Sequence, residues 1–261
     1  MDIFTKIFAA VTRRFHLRGT ERVIRLLYPP EHHQYVETII TLDNFRFHID
    51  TRSFIEWYLF FKGDYEPRVA STLKKYLKPN DVAIDVGANI GIHTLLMARS
   101  VNPGMVYAIE PSPEIKRLEL NVRENHCKNV VVVPHAFSSK TGKQLLYLPP
   151  DVNRGGASFY HPEFGQSMEV ETVTLDDFAR AEKLTRLDFI KIDVEGDECG
   201  VLEGGRESIE KFRPFVLFEY SPPHWGYSGR KFEDVKDFFA PLRYEFVWVD
   251  AINVLAKPSL K

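Results

Sequence analysis

Three carboxylates, Asp193, Glu195 and Glu219, and one imidazole, His224, stand where an alternating strand and helix pattern puts them to chemical use. In FIKIDVEGDE, every second position from Lys191 is charged, giving Lys191, Asp193 and Glu195. Period-two alternation sends these to one face of a strand and Ile190, Ile192 and Val194 to the other. Charges within a buried strand are costly unless they pair or serve a site. Asp193 and Glu195 fall at the carboxyl end of the run, where Gly196 breaks it. Either suits a general base or a grip on a substrate hydroxyl, and Glu195 with Glu198 also suits a helix start. Lys191 reads as an internal ion-pair partner. The next strand ends at Glu219 in FEYSPPHWGYSG, and the Pro222-Pro223 turn projects His224 and Trp225 over the same face. An imidazole that titrates near neutrality is a natural acceptor for a hydroxyl proton. The same four groups, Asp193, Glu195, Glu219 and His224, equally offer oxygen and nitrogen ligands to a divalent cation that would acidify the hydroxyl, and the sequence leaves both open.

A second constellation precedes this one. IDVGANIG, at 84–91, follows an apolar run with Asp85, Gly87, Asn89 and Gly91, which is not the dinucleotide spacing G-x-G-x-x-G. Gly87 lacks a Cβ where the chain turns, and Gly91 lets the following helix approach. The first turn of that helix, with Thr94, offers free N–H groups that suit a carboxylate as well as a phosphate. The next strand closes on Glu110, whose carboxylate accepts from both hydroxyls of a ribose and does not tolerate a 2′-phosphate. An adenosine with an amino-acid end fits this set, so S-adenosylmethionine (SAM) is favoured over NAD. His135, Ala136 and Phe137, at the end of NVVVVPHAF, are expected beside the adenine, with Ala136 as the backbone contact and Phe137 equally a core residue.

These residues need an open sheet to bring them together. Short β-branched runs (VAIDV, MVYAIE, NVVVVPHAF, DFIKIDV, PFVLFEY) alternate with amphipathic stretches at 92–99, 113–125, 198–211 and 232–239. That alternation means parallel strands buried on both faces and joined by right-handed crossovers. YEFVWV and INVLA are so closely connected that they must pair antiparallel. The expected fold is α/β: a Rossmann-like class I methyltransferase fold with a mostly parallel seven-stranded sheet and an antiparallel C-terminal hairpin. Residues 143–174 interrupt the alternation as a β-rich insertion with a Gly-rich tip, either a substrate lid or a surface connection. Residues 1–62 form an extension with a basic helix and a hairpin turning at Asp43-Asn44, and 63–261 form the catalytic domain.

IDVGANIGIHT, YAIEPSP, VTLDDF, FIKIDVEGDE and the following VLEGG, in this order, closely resemble the FkbM-type methyltransferase family. The resemblance runs from about Gly63 to Glu219 and includes GDYE at 63–66. It implies a class I SAM-dependent fold and O-methylation of hydroxyls on sugars or polyketide-like metabolites. It further implies that Gly87, Asn89, Gly91 and Glu110 bind SAM, that Glu66 lies near the amino-acid end of SAM, and that Asp193 and Glu195 belong to the methyl-transfer site. The N-terminal helix and PPHWGYSG match no motif of the family.

The expected activity is therefore SAM-dependent methyl transfer to a hydroxyl of a sugar, glycan or secondary-metabolite-type small molecule. Rivals are a methyltransferase of RNA caps or proteins, which calls for a basic groove, and a non-catalytic SAM- or nucleoside-binding partner protein, which calls for a degenerate acidic motif. The formal charge of −2 gives nucleic acid no electrostatic footprint. Cys127 and Cys199 form no disulfide framework and have no metal-ligand spacing, consistent with a reducing, cytoplasmic setting. No apolar run reaches the roughly 20 residues of a membrane span. Ile3, Phe4, Ile7, Phe8, Val11 and Phe15 recur at helical spacing among six basic residues, Lys6, Arg13, Arg14, Arg18, Arg22 and Arg25, against Asp2 and Glu21. This stripe reads either as a peripheral contact with the inner face of a membrane or a partner, or as a helix packed on the domain. Oligomeric state is not legible.

Overall fold

A computed structural model describes residues 3–14, 19–29 and 37–259. Asp2, Phe15, Arg18 and Pro30 of the basic segment lie outside the described residues, as do the side chains of Ile3, Lys6 and Arg14. The chain divides into two compact units, Met1–Pro67 with Pro149–Gly155, and Arg68–Leu148 with Gly156–Lys261. Residues 63–67 and Pro149–Gly155 fall within the first unit.

The first unit holds α1 (Ile3–Arg14), α2 (Thr20–Leu27), β1 (Glu37–Leu42), β2 (Phe45–Asp50) and α3 (Phe54–Lys62). Asp43 and Asn44, at φ 54° and 68°, make the left-handed two-residue turn that matches strand twist in a tight hairpin. Buried Asp50 ties this unit together: it accepts from Arg52 Nη2 at 2.7 Å and from Arg154 Nη1 at 2.6 Å, which is why Pro149–Gly155 belongs here. On α1 the apolar stripe divides, with Phe8 packed on Tyr28 and Phe61 and the rest of its described side chains outside. Thr5, Ala9 and Thr12 are buried, whereas Phe4, Ile7 and Val11 face solvent. Thr12 Oγ1 donates to the Phe61 carbonyl at 2.6 Å, so small side chains seat this helix.

The second unit is built on β3 (Val82–Val86), β4 (Met105–Ile109), β5 (Val130–Val133), β9 (Phe189–Ile192), β10 (Phe215–Glu219), β11 (Tyr244–Trp248) and β12 (Asn253–Pro258). Its seven strands run in the order β11-β12-β10-β9-β3-β4-β5. All neighbours are parallel except β12, antiparallel to both β10 and β11. This is the Rossmann-like class I methyltransferase sheet expected from the strand pattern. Apolar layers cover both faces: Ile84, Val86, Ile190, Ile192, Val216 and Phe218 belong to one, and Ala83, Phe189, Leu217 and Leu255, with Leu96 and Met97, to the other. Full burial of a side chain such as Phe218 contributes roughly 1.5–3 kcal/mol. The chain steps from β5 back across β3 to β9, so strand order switches between β3 and β9, and their carboxyl ends form the crevice where such sheets bind ligands.

Two expectations are corrected here. NVVVVPHAF is not one strand: Pro134 ends β5, and β6 (Ala136–Phe137) enters a separate three-stranded sheet with β7 (Gly142–Leu148) and β8 (Gln166–Val173), in the order β6-β8-β7. The helix expected over 198–211 is two helices, α8 (Glu198–Gly204) and α9 (Arg206–Phe212), parted at Gly205. A Cβ on Gly205 would press on Leu175 Cδ2 at 2.5 Å.

Candidate active site

Two loops meet at the switch point. The first, after β3, runs into α5 (Ile92–Val101). Its Gly87 and Ala88 N–H groups both donate to the Ile109 carbonyl at 3.0 Å, which fastens the turn to the end of β4. Gly87 sits at φ 79°, and a Cβ there would overlap the Asp193 carbonyl oxygen. Glycine is required because the neighbouring loop passes that close. Asn89, at φ 50°, adopts the left-handed region that this residue type tolerates. Gly91, at φ 93°, caps α5, and a Cβ there would lie 2.8 Å from Leu118 Cδ1 on α6 (Ile115–Glu124). Glu110 braces the loop from β4: Oε2 accepts the Asn89 N–H at 2.7 Å and Oε1 the Ser112 N–H at 2.9 Å. Burial raises the Glu110 carboxyl above its ordinary range, against the pull of these donors. With the Ser112 hydroxyl as a third donor, the carboxylate keeps one acceptor position for a further donor.

Asp85 and Thr94 have no accessible surface. Sequence reasoning counted them with the cofactor contacts; the structure puts them behind the loop. Thr94 Oγ1 donates to Asp85 Oδ2 at 2.6 Å, and Lys191 Nζ stands 3.7 Å from Asp85 Oδ1. His93, buried nearby, is neutral: burial and then the Lys191 charge push its pKa down to about 3.

The second loop, after β9, carries the charged alternation. Lys191 is buried and its ammonium lies 3.1 Å from Asp193 Oδ2, so it is the internal ion-pair partner expected. Burial opposes ionisation of Asp193, yet the charge and hydrogen bond of Lys191, with a hydrogen bond to Glu219, hold its carboxyl below the usual range. Glu195 sits at φ 55° and reaches the first turn of α10 (Pro222–Ser228). Its Oε2 is 2.6 Å from His224 Nδ1, although the ring N–H points off that line. The contact is therefore an ion-pair approach rather than an aligned hydrogen bond. Glu195 raises the His224 pKa above that of an ordinary imidazole, overcoming its burial. Glu198, not Glu195, braces the loop: its Oε1 accepts from the Val194 and Gly196 N–H groups at 3.0 and 3.4 Å. Burial raises the Glu198 carboxyl to about 8.

The insertion supplies residues that sequence reasoning missed. Ser158 Oγ donates to the Glu195 carbonyl at 2.7 Å, and Tyr160 OH donates to Asp197 Oδ1 at 2.7 Å. Ser138 Oγ takes the other Asp197 oxygen, also at 2.7 Å. Buried Asp197 thus clamps 158–160 onto the catalytic loop, and a Cβ on Gly200 would overlap its carboxylate. His161 stands edge-on to His224, with ring centroids 5.6 Å apart, and packs on Tyr227 at 4.3 Å. Its Nδ1 is 2.7 Å from Glu163 Oε1. Only the run of polar and aromatic residues in SFYHPEF marked this stretch, and its role depends on where the loop lands.

Ala136 is buried and pairs with Thr172, and Phe137 joins the core beside Phe178. His135 binds Glu171 at 3.1 Å. Trp225 does not project over the site; it is buried against Tyr220. Glu66, at φ 44°, belongs to the first unit. Among the described residues no group of three or more His, Cys, Asp or Glu is arranged to hold a metal. Asp193 turns to Lys191 and Glu219, and Glu195 to His224, so Asp193, Glu195 and Glu219 do not converge as a ligand set.

Residues 85–246 match the methyltransferase FkbM domain, which covers more than half of the chain. The chain belongs to this family. Among its relatives is the hexuronic acid methyltransferase AglP of Haloferax volcanii, 28% identical over 59% of this chain and 62% of that protein. Another is the 2-O-methyltransferase NoeI of Sinorhizobium fredii, 28% identical over 55% of this chain and 65% of its own length. A third FkbM-family relative, the 31-O-demethyl-FK506 methyltransferase of Streptomyces tacrolimicus, is 30% identical over 49% of this chain and 60% of that one. The chain spans less than two thirds of the length of each.

Proposed function

We propose that this FkbM-family chain is a SAM-dependent O-methyltransferase acting on a hydroxyl of a sugar, glycan or secondary-metabolite-type molecule. The observation that carries this reading is the meeting of two loops at the switch point: a glycine turn braced by a carboxylate on one side, and ionised Asp193 with the Glu195–His224 pair on the other. The names of three relatives, which act on a hexuronic acid, at a 2-O position and on an FK506 precursor, support a hydroxylated substrate.

The residues present fit SAM. Glu110 has an acceptor position left for a ribose hydroxyl, and the Gly87–Gly91 turn exposes backbone where a Cβ-bearing chain could not follow the same path. When bound, SAM supplies an electrophilic methyl group. The chain supplies position and a proton acceptor. Asp193, kept ionised by Lys191, accepts a hydrogen bond from the substrate hydroxyl and orients its oxygen. His224, steadied by Glu195, accepts the proton as that oxygen becomes nucleophilic, and the carboxylate stabilises the imidazolium that forms. Isothermal calorimetry with SAM, followed by methyl transfer to a panel of uronic acids and other hydroxylated sugars, tests the reading. We expect Asp193→Ala to bind SAM normally and to transfer no methyl group; full transfer by that variant refutes the assignment.

A further inference from the structure

We propose that the outward faces of α1 and α2 dock on an anionic lipid bilayer. Large apolar side chains are exposed on both helices: Phe4 by 77%, Ile7 by 56% and Val11 by 50% on α1, and Val23 by 48%, Leu26 by 81% and Leu27 by 57% on α2. Spacings of three and four residues put each trio on one helical face. The opposite faces do the packing. Thr5, Ala9 and Thr12 of α1 and Ile24 of α2 are buried and Phe8 packs on Tyr28 and Phe61, while the two trios are held out. A helix selected for its own core is built the other way round. Exposed clusters of this size in a globular unit mark a surface that meets another apolar phase.

Charge selects the occupant. The first 30 residues carry six basic and two acidic side chains, while the remaining 28 basic and 34 acidic residues give the rest of the chain −6. Positive charge is therefore concentrated in the same segment of sequence as the exposed apolar residues, and Arg22 and Arg25 are themselves exposed on α2. A second copy of this chain seated on the same face would set positive charge against positive charge. An anionic bilayer surface attracts it, at about 1 kcal/mol per basic residue, and takes the apolar faces about 5–10 Å into the interface. No helix among the described residues is long and apolar enough to cross a membrane, so the contact is peripheral.

Co-sedimentation of the full chain with vesicles tests this. Binding is expected to mixed phosphatidylcholine–phosphatidylserine vesicles, to fall steeply with added salt, and to be at least about tenfold weaker on pure phosphatidylcholine. The double substitution Phe4→Asp/Leu26→Asp should lower binding by about tenfold or more while leaving the circular dichroism spectrum unchanged. Arg22→Glu, measured separately, should reduce only the salt-sensitive part. Failure of the unsubstituted chain to bind anionic vesicles at low salt overturns the proposal. So does a lipid-free dimer that Phe4→Asp/Leu26→Asp converts to a monomer, because the occupant is then a second copy.

Discussion

Replacing Lys191 by Met isolates the electrostatics of the site. The ammonium stands 3.1 Å from Asp193 and 3.7 Å from Asp85, and all three groups lie on or behind the two loops that meet at the switch point. At an effective dielectric of about 20, those separations correspond to attractions of about 5 and 4.5 kcal/mol. Desolvating the ammonium costs several kcal/mol and offsets much of this, and an isolated buried carboxylate can escape by taking up a proton. The net loss for Lys191→Met is therefore about 3–5 kcal/mol at pH 8. With an m-value of about 5 kcal/mol per molar guanidinium, the unfolding midpoint of the second unit, followed by fluorescence of Trp225 and Trp248, should fall by about 0.6–1 M. The pH dependence adds a sign. In the native chain Asp193 is held below its ordinary pKa, so it contributes stability above the usual carboxylate range, and that contribution is lost as pH falls through the depressed value. In Lys191→Met the ammonium no longer opposes burial, so Asp193 rises and Asp85, already raised by burial in the native chain, rises further; the penalty is greatest at pH 8 and is relieved as pH falls through the raised values. The gap between the two proteins should narrow by pH 5. A midpoint change under about 0.1 M at pH 8, or an equal loss at both pH values, refutes the reasoning.

Gly87→Ala, with φ 79° and a Cβ driven into the Asp193 carbonyl, should cost about 3 kcal/mol or more and abolish SAM binding by calorimetry; Gly226→Ala, inside α10 with nothing near its Cβ, should instead raise the unfolding free energy by about 0.5–1 kcal/mol in guanidinium titration. Glu195→Gln removes the cause of the raised His224 pKa, so an NMR titration should find the imidazole pKa lowered, and the acidic limb of the methyl-transfer pH profile should move to lower pH. Tyr160→Phe leaves one oxygen of buried Asp197 without its donor at a cost of about 1.5–3 kcal/mol, and should speed proteolytic cleavage within 156–164 and raise the KM for the hydroxyl substrate more than that for SAM.

The parallel sheet, the antiparallel final pair, the glycine turn and an internal ion pair for Lys191 were all legible from sequence, because each follows from local rules. Buried parallel strands read as apolar runs, left-handed turns select Gly and Asn, and a lysine within such a run must find a carboxylate. Tertiary structure decided the rest, because it depends on which backbone passes beside which. Gly87 answers to Asp193, more than 100 residues away in the chain, and Asp85 has no outlet because Thr94 and Lys191 close over it. Ser158, Tyr160 and His161 gain meaning only once the insertion lands on Glu195, Asp197 and His224. Periodicity in α1 correctly marked an amphipathic helix but not which face turns inward; a helix seats on whichever side fits its neighbour, and here Ala9 and Thr12 fit where Phe4 and Ile7 do not.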